Sequence, residues 1–254
     1  MRFLDCNATF GPPSVAPPGY AVTAADLLAE MDFCGVESAL VTCATQRDGS
    51  PIEGNQLVVD LTRALPRLRP AWAILPPQTE ELAPDVDSFF SSMARAGVRA
   101  LWAFPARHHF LLNRTTFGSF LEELTSRQIP LFLPLTEVSG SSQGWQLVDE
   151  ILADFPRLTL VATDQSVWGQ DRYFRPLVER YPRFHFETSR YELGRGIEAF
   201  CQKYGPDRLL FGTRYPDTPM GGPVLNLAHA DISDTDREAI AEGNLERLLA
   251  EVRL

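Results

Sequence analysis

Arg214, near the C-terminal end of the chain, is the residue whose type most restricts its chemistry. It follows the apolar residues 209–211. A guanidinium keeps its proton and offers only N–H donors, so it neither coordinates a metal cation nor accepts a proton from water. The same donors bind carboxylates in a bidentate geometry. The residue therefore predicts recognition of an anion.

Arg214 requires an anionic partner, because a partly buried guanidinium without one costs several kcal/mol. Asp164 is the candidate within the chain. By strand alternation it shares a face with Ala162, which we expect to point inward, and Arg214 shares a face with Gly212. We predict that Arg214 either forms a salt bridge with Asp164 or binds the carboxylate of a ligand.

Two further polar residues, Asn7 and Thr9, lie two positions apart on the first predicted strand and share a face, with Cys6 on the opposite face. Asp164 and Glu187 are weak candidates for a catalytic base. Alternation alone does not fix the direction of Glu187.

Cys6 and Cys43 lie near predicted strand ends, where a cysteine nucleophile could stand. No histidine can be placed beside either thiol. Packing as a small buried residue is therefore favoured for both.

Eight apolar segments alternate with amphipathic helical segments, a pattern typical of parallel strands joined by crossover helices. Eight rounds in 254 residues favour an α/β fold, a single (β/α)8 TIM barrel over residues 1–254 with extra C-terminal helices. The predicted strands cover residues 2–6, 37–43, 69–75, 98–103, 130–135, 158–163, 184–188 and 208–212. The predicted helices cover residues 23–33, 55–65, 86–96, 116–127, 144–154, 172–181, 192–204 and 233–252.

The net charge of −10 makes nucleic acid an unlikely partner, because an acidic surface repels phosphate backbones. No apolar run approaches the ~20 residues that span a bilayer, so no membrane association is expected. The four cysteines form no CxxC pair and indicate a reducing compartment. We therefore expect a soluble cytoplasmic protein.

The segments RYPRFHFETS at 180–189 and DRLLFG at 207–212, together with others, resemble the amidohydrolase-related family of the amidohydrolase superfamily, the branch that includes aminocarboxymuconate-semialdehyde decarboxylase. The first segment is similar to the seventh strand of that family and the second to its eighth. Residues 233–249 are similar to its closing helices. The resemblance implies a metal site at the C-terminal ends of the strands, where barrel enzymes place their chemistry.

The positions at which the family carries metal ligands hold other residues in this chain. The two histidines of the first strand fall on Asn7 and Thr9, and the later ligand positions fall on Pro134, Asp164 and Arg214. Amides and hydroxyls are poor zinc ligands, and arginine repels a cation. We therefore expect no metal and no cofactor. If these positions align with those of the family, the side chains at the barrel mouth are Asn7, Thr9, Asp164 and Arg214.

The remaining candidates are histidines and tryptophans. His108 and His109 lie in the loop after the fourth strand, and His108 could face the mouth. His185 and His229 are expected to be structural. Trp102 and Trp168 could wall a ligand pocket. The predicted binding residues are Asn7, Thr9, Trp102, His108, Asp164 and Arg214.

Two kinds of function remain open. The first is a barrel that has lost the metal-dependent hydrolytic site and serves as a noncatalytic binder of small anionic molecules or as a pseudoenzyme subunit. The second is a metal-independent hydrolase, lactonase or decarboxylase acting on a small carboxylated substrate. A small carboxylate is the expected ligand. The chain could form a homo-oligomer, or a hetero-oligomer in which it stabilises an active relative.

Overall fold

The computed structural model describes residues 1–13, 20–137, 141–165 and 170–254, so the predicted pocket residue Trp168 lies outside the described part. Parallel strands form its centre and helices surround them. In chain order the strands are β1 (Leu4–Phe10), β2 (Ser38–Cys43), β3 (Leu68–Pro70), β4 (Trp72–Ala73), β5 (Leu101–Trp102), β6 (Leu131–Pro134), β7 (Leu160–Thr163), β8 (Phe184–Glu187) and β9 (Leu209–Leu210).

Backbone hydrogen bonds join the strands into a barrel. β1, β2 and β3 pair in that order, and β4 to β9 pair consecutively. Between the two sets, the Ala71 N–H donates to Val41 O and the Trp72 N–H to Ala100 O, so β3 and β4 are one barrel position. The Cys6 N–H donates to Phe211 O at 2.9 Å, which joins β1 to the end of β9. Eight strand positions therefore close, and the predicted (β/α)8 barrel is confirmed.

Helices cover the outer face of the barrel. They are α1 (Ala24–Cys34), α2 (Ala44–Asp48), α3 (Pro51–Thr62), α4 (Val86–Ala96), α5 (Arg114–Arg127), α6 (Ser141–Asp154), α7 (Asp171–Arg180), α8 (Gly196–Tyr204), α9 (Gly221–Ala228), α10 (Asp234–Glu238) and α11 (Asn244–Ala250). None of the helices in the described ranges is long and apolar enough to cross a membrane.

The ends of α1 follow from local sequence chemistry. The Thr23 side chain accepts a hydrogen bond from the Asp26 N–H, and the Asp26 carboxylate accepts one from the Thr23 N–H. Gly35 ends the helix with a left-handed φ of 74°, which glycine adopts without a side-chain clash. The predicted helix over residues 23–33 differs from α1 by one residue at each end.

Two packed layers separate the inside of the barrel from its helical coat. Leu40, Phe132, Val161 and Leu210 belong to the interior cluster. Ala162 packs instead with the outer cluster, so the prediction that it points inward is wrong. Three leucines of α11 also join the interior cluster and close the end of the barrel opposite the mouth: Leu245, Leu248 and Leu249.

Some predicted boundaries are wrong for local reasons. β1 continues to Phe10 instead of ending at residue 6, and α8 begins at Gly196 instead of residue 192. The later start of α8 coincides with Arg195, whose φ of 58° is left-handed and does not continue a helix. The predicted closing helix is divided into α10, a π-helical turn (Ala239–Gly243) and α11.

Candidate functional site

The mouth of the barrel contains a polar recess that brings predicted residues together. Its lining includes Asn7, Thr9, Trp102, Asp164 and Arg214. It also includes Pro134, which lies at the end of β6. The volume is about 20 Å³, enough for one water-sized group. The other lining residues, which were not predicted, are Thr42, Arg47, Phe104, Tyr215 and Asp217.

A β-bulge in β1 places Asn7 at the recess. The pairing of β1 with β2 advances from Asp5 opposite Ala39 to Ala8 opposite Val41, so β1 carries one extra residue there. Cys6 consequently packs in the interior cluster while Asn7 lines the recess. The prediction that Cys6 points to the opposite face is wrong, because the bulge interrupts the alternation.

Arg214 and Asp164 form the predicted ion pair. Arg214 Nε lies 3.3 Å from Asp164 Oδ1, and both side chains are largely buried. Asp164 Oδ1 also accepts a hydrogen bond of 2.9 Å from Asn7 Nδ2, and its Oδ2 accepts one of 3.2 Å from Thr136 Oγ1. The carboxylate therefore keeps two hydrogen bonds apart from its contact with the guanidinium.

The guanidinium of Arg214 is poorly satisfied by the protein. Its Nε is buried without a hydrogen bond, because the contact with Asp164 meets the distance of an ion pair but not the geometry of a hydrogen bond. The terminal nitrogens donate to no residue of the described chain. The side chain is 20 % exposed, at the recess. Arg214 therefore presents unused N–H donors to whatever enters.

Arg214 and Asp164 both have backbone conformations that are unusual for residues with side chains. Their φ angles are 57° and 55°, in the left-handed region. Such conformations cost on the order of 1 kcal/mol each and persist where surrounding contacts impose them. Buried carboxylates next to both residues supply those contacts.

Asp5 supports the segment that carries Arg214. It is fully buried, and its oxygens accept hydrogen bonds from the Asn7 N–H (2.9 Å), the Thr213 N–H (2.9 Å) and Thr213 Oγ1 (2.5 Å). Burial raises the pKa of Asp5 to about 6 against the opposing effect of these bonds. Asp5 thus joins β1 to the end of β9 directly beneath the recess.

Glu187 supports Asp164 in the same way. It is fully buried inside the barrel, and its Oε1 accepts hydrogen bonds from the Asp164 N–H (3.0 Å) and Ser189 Oγ (2.7 Å). The pKa of Glu187 is raised to about 7, mainly by burial and secondly by the negative charge of Asp164. A Cβ on Gly212 would lie 2.6 Å from Glu187 Oε2, so a side chain there would displace the Glu187 carboxylate. Glu187 therefore points inward but does not line the recess.

Arg47 is a second arginine of the recess, and sequence reasoning missed it. It lies on α2, directly after β2. Its Nε and Nη2 donate to Asp48 at 3.0 and 3.4 Å, and its Nη1 donates to Asp217 at 3.0 Å. Burial alone lowers the pKa of Arg47, but the two aspartates raise it further than burial lowers it. Arg47 is therefore held by carboxylates on both sides.

The aromatic wall of the recess is formed by stacked rings. Trp102 lies 5.9 Å from Phe104 and 5.1 Å from Phe132, with each pair 15° from parallel. His108 packs against Phe104 at 5.7 Å and does not itself line the recess. The structure thus places His108 behind the wall and not at the predicted binding position.

The other histidines lie away from the recess. His109 and His229 are exposed. His185 is buried in β8, with Nδ1 3.0 Å from Arg183 O, and burial together with nearby Arg208 lowers its pKa to about 3. A neutral core histidine agrees with the structural role expected for it.

Neither candidate cysteine is arranged as a nucleophile. The pKa of the Cys6 thiol is raised well above its usual range, mainly by burial and secondly by the negative charge of Glu187. Burial also raises the pKa of Cys43, whose Sγ donates to Gly54 O at 3.4 Å. Thiols that resist deprotonation are poor nucleophiles.

The recess does not suit a divalent metal. Asp164 is its inner carboxylate, and the Arg214 guanidinium stands against that carboxylate as a fixed cation. Asn7 and Thr9 offer only an amide and a hydroxyl, and Pro134 offers no side-chain ligand. In the described ranges, no group of three His, Cys, Asp or Glu side chains is placed to hold a metal ion.

Comparison with known sequences identifies a family. A family model described as Amidohydrolase matches residues 14–250 of the chain. No protein with a curated description matches the sequence.

Solved structures share the fold at low identity. An uncharacterised TIM-barrel protein from Bordetella bronchiseptica is 20% identical, with 99% of both chains covered and a TM-score of 0.77. A 2,6-dihydroxybenzoate decarboxylase from Rhizobium is 17% identical, with 98% of this chain and 99% of that chain covered and a TM-score of 0.77. A dihydroxybenzoic acid decarboxylase from Polaromonas, with bound manganese and 2-nitroresorcinol, is 15% identical, with 99% and 98% covered and a TM-score of 0.75.

Proposed function

Because the chain belongs to the amidohydrolase family, we propose that it keeps the family barrel and uses the mouth to bind the carboxylate of a small molecule, without a metal-dependent hydrolytic reaction. The observation that carries the proposal is the guanidinium of Arg214, which faces the recess with unused donors. Asp164 balances the charge of Arg214, but the terminal N–H donors of the guanidinium have no acceptor in the described part of the chain. A carboxylate fits its donors in a bidentate geometry.

The charge balance of the recess supports a singly charged ligand. Two arginines, Arg47 and Arg214, and two aspartates, Asp164 and Asp217, line it, so their formal charges cancel. A carboxylate adds one negative charge beside the open guanidinium. A phosphate dianion would add two, close to the two aspartates, at a greater electrostatic cost.

The size of the recess restricts how the ligand enters. With a volume of about 20 Å³, it admits one water-sized group. One oxygen of the carboxylate occupies that space and the other lies at its opening, so that both accept hydrogen bonds from Arg214, and the body of the ligand remains outside the recess. Short carboxylates and longer ones with an unbranched end are therefore the ligands to test first.

A thermal-shift screen tests the proposal. Small carboxylates are compared with their uncharged amides, using wild type, Arg214→Ala and the control Arg172→Ala, which changes an exposed arginine of α7. A ligand at 100 times its Kd stabilises the folded state by about 2.7 kcal/mol. We expect carboxylates alone to raise the Tm of wild type and of the control, and to have no effect on Arg214→Ala. An equal shift in Arg214→Ala would contradict the proposal.

Metal analysis tests the second half of the proposal. Protein purified without chelator should contain no stoichiometric zinc or manganese, because the guanidinium of Arg214 faces the carboxylate of Asp164. One equivalent of either metal, lost on substituting Asp164, would contradict it.

A second candidate function is a metal-independent decarboxylase, hydrolase or lactonase on a small carboxylated substrate. It is supported by the decarboxylases among the similar structures and by the carboxylate of Asp164 beside the anion-binding arginine, where it is the candidate base. Chelator-treated protein is incubated with each carboxylate that stabilises it. Release of carbon dioxide or ring-opened acid that disappears in Asp164→Asn favours this function, and unchanged carboxylate favours simple binding.

A further inference from the structure

A larger cavity lies at the opposite end of the barrel, between α3 and α4. We call it the α3–α4 groove. Its wall includes Thr62 of α3, Ser92 of α4, Leu68 at the start of β3 and Leu249 of α11. Its volume of about 850 Å³ lies within the ~300–1,000 Å³ typical of small-molecule sites. Nothing in the proposed function of the mouth involves this groove.

The groove combines an apolar floor with aromatic surface. Leu40, Leu68 and Leu249 are almost fully buried beneath it. Trp72 also lines it and is only partly buried, with its ring 5.8 Å from Phe89 in an edge-to-face contact. An apolar or aromatic group is stabilised on such a floor by removal of its surface from water.

The charged residues of the groove wall all have the same sign. Four arginines line it, and no Asp or Glu is among its lining residues: Arg63, Arg69, Arg95 and Arg99. The chain as a whole has 33 acidic and 23 basic residues, so the groove departs from the charge of the rest of the protein. Such a local field attracts anions.

Two of these arginines are neutralised and two are not. Arg69 forms a bidentate pair with Glu246, at 2.8 and 2.5 Å, and Arg63 pairs with Asp60 at 2.7 Å.

Arg95 donates instead to Ser92 Oγ at 2.7 Å, and Arg99 donates to Leu249 O at 3.1 Å. Within the described part of the chain, Arg95 and Arg99 have no carboxylate partner. The positive charges of Arg95 and Arg99 are therefore available to pair with an anion beside the apolar floor of the groove.

We propose that the α3–α4 groove binds a phosphate monoester with an aromatic body. The phosphate dianion is held by Arg95 and Arg99, and the aromatic body lies on the floor beside Trp72. Two unneutralised guanidinium groups without a neighbouring carboxylate match a dianion, unlike the balanced recess at the mouth. Arginine also binds phosphate through paired hydrogen bonds.

Calorimetric titration with 1-naphthyl phosphate tests the proposal, with 1-naphthol and inorganic phosphate as partial ligands. We expect naphthyl phosphate to bind at least about ten-fold more tightly than either partial ligand. The double variant R95Q/R99Q should weaken the binding of naphthyl phosphate by at least about ten-fold, because both charged donors are replaced by neutral ones. Arg172→Gln, which changes an exposed arginine of α7 outside the groove, should leave the affinity unchanged.

Three results would overturn the proposal. The first is no heat of binding at millimolar naphthyl phosphate in protein shown to be folded. The second is equal affinity in wild type and R95Q/R99Q. The third is that the wild type sediments as a dimer and binds no naphthyl phosphate, while R95Q/R99Q sediments as a monomer. The groove would then be the contact surface for a second copy of the chain. Arg95 and Arg99 are exposed, so the variants should fold.

Discussion

Arg47 and Arg214 line the same recess but have opposite hydrogen-bonding states. Arg47 donates three hydrogen bonds to two aspartates. Arg214 contacts one aspartate at 3.3 Å without a hydrogen bond and has a left-handed backbone. Their side chains are similarly exposed, at 18 and 20 %, so burial does not explain the difference. Arg47 uses its donors within the fold, whereas the terminal donors of Arg214 have no acceptor in the described part of the chain, which is why we propose Arg214 as the ligand-binding residue.

The supports of the two arginines differ as well. The aspartates that hold Arg47 bind its guanidinium directly. The carboxylates near Arg214, Asp5 and Glu187, bind backbone N–H groups of Thr213 and Asp164 instead. The protein thus fixes the position of Arg214 without satisfying its side chain. An arrangement of this kind preorganises a binding group, because the cost of positioning it is met during folding.

The largest expected effect is on stability in Arg47→Ala. Removing this side chain leaves Asp48 and Asp217 without their main partner, and Asp48 is only 10 % exposed. We expect the free energy of unfolding to fall by about 3 kcal/mol, measured by urea denaturation. Arg172→Ala is the control and should change it by less than about 0.5 kcal/mol. A loss no greater than in the control would mean that Arg47 is not a structural residue.

A smaller effect on the free energy of unfolding is expected from the titration of Glu187, which lies next to Asp164, the partner of Arg214. The pKa of Glu187 is raised from 4.5 to about 7 in the folded protein, so the folded state binds its proton more tightly than the unfolded state does. The stability that the protonated Glu187 contributes to the folded state is fully present below pH 4.5 and is lost as pH rises through 7.

Wild type should therefore lose about 2 kcal/mol relative to Glu187→Gln between pH 5 and pH 7. Parallel urea denaturation series at several pH values measure the difference. If the two proteins kept a constant difference over that range, Glu187 would not titrate there.

The smallest expected effect is on stability in Arg214→Ala. Asp164 keeps its hydrogen bonds with Asn7 and Thr136 in that variant, so we expect a change of no more than about 1 kcal/mol. Arg214→Gly should be at least as stable as Arg214→Ala, because glycine adopts the φ of 57° at lower cost. Destabilisation as large as that of Arg47→Ala would remove the distinction between the two arginines.

The sequence predicted the barrel and part of the lining of the recess for identifiable reasons. Strand and helix periodicity gave the eight rounds, and family register brought Asn7, Thr9, Asp164 and Arg214 to the mouth. The ion pair of Asp164 with Arg214 followed from the cost of an unpaired guanidinium. These inferences depend on residue type and order along the chain.

Features set by local backbone irregularity were not predictable. The bulge in β1 turned Cys6 inward together with Asn7, and the left-handed backbone of Asp164 brought it to the recess although Ala162 faces outward. Arg47 was missed because it lies on a helix of only five residues and because its partner, Asp217, is 170 positions away in the sequence. Nothing in the sequence near Arg47 indicates that contact.

A crystal structure of the protein soaked with the most stabilising carboxylate tests the central claim most directly. The ligand carboxylate should accept hydrogen bonds of about 2.7–2.9 Å from the terminal nitrogens of Arg214, with Arg47 still bound to Asp48 and Asp217. Density for a metal ion at Asp164, or a carboxylate bound elsewhere while Arg214 keeps only its contact with Asp164, would contradict it.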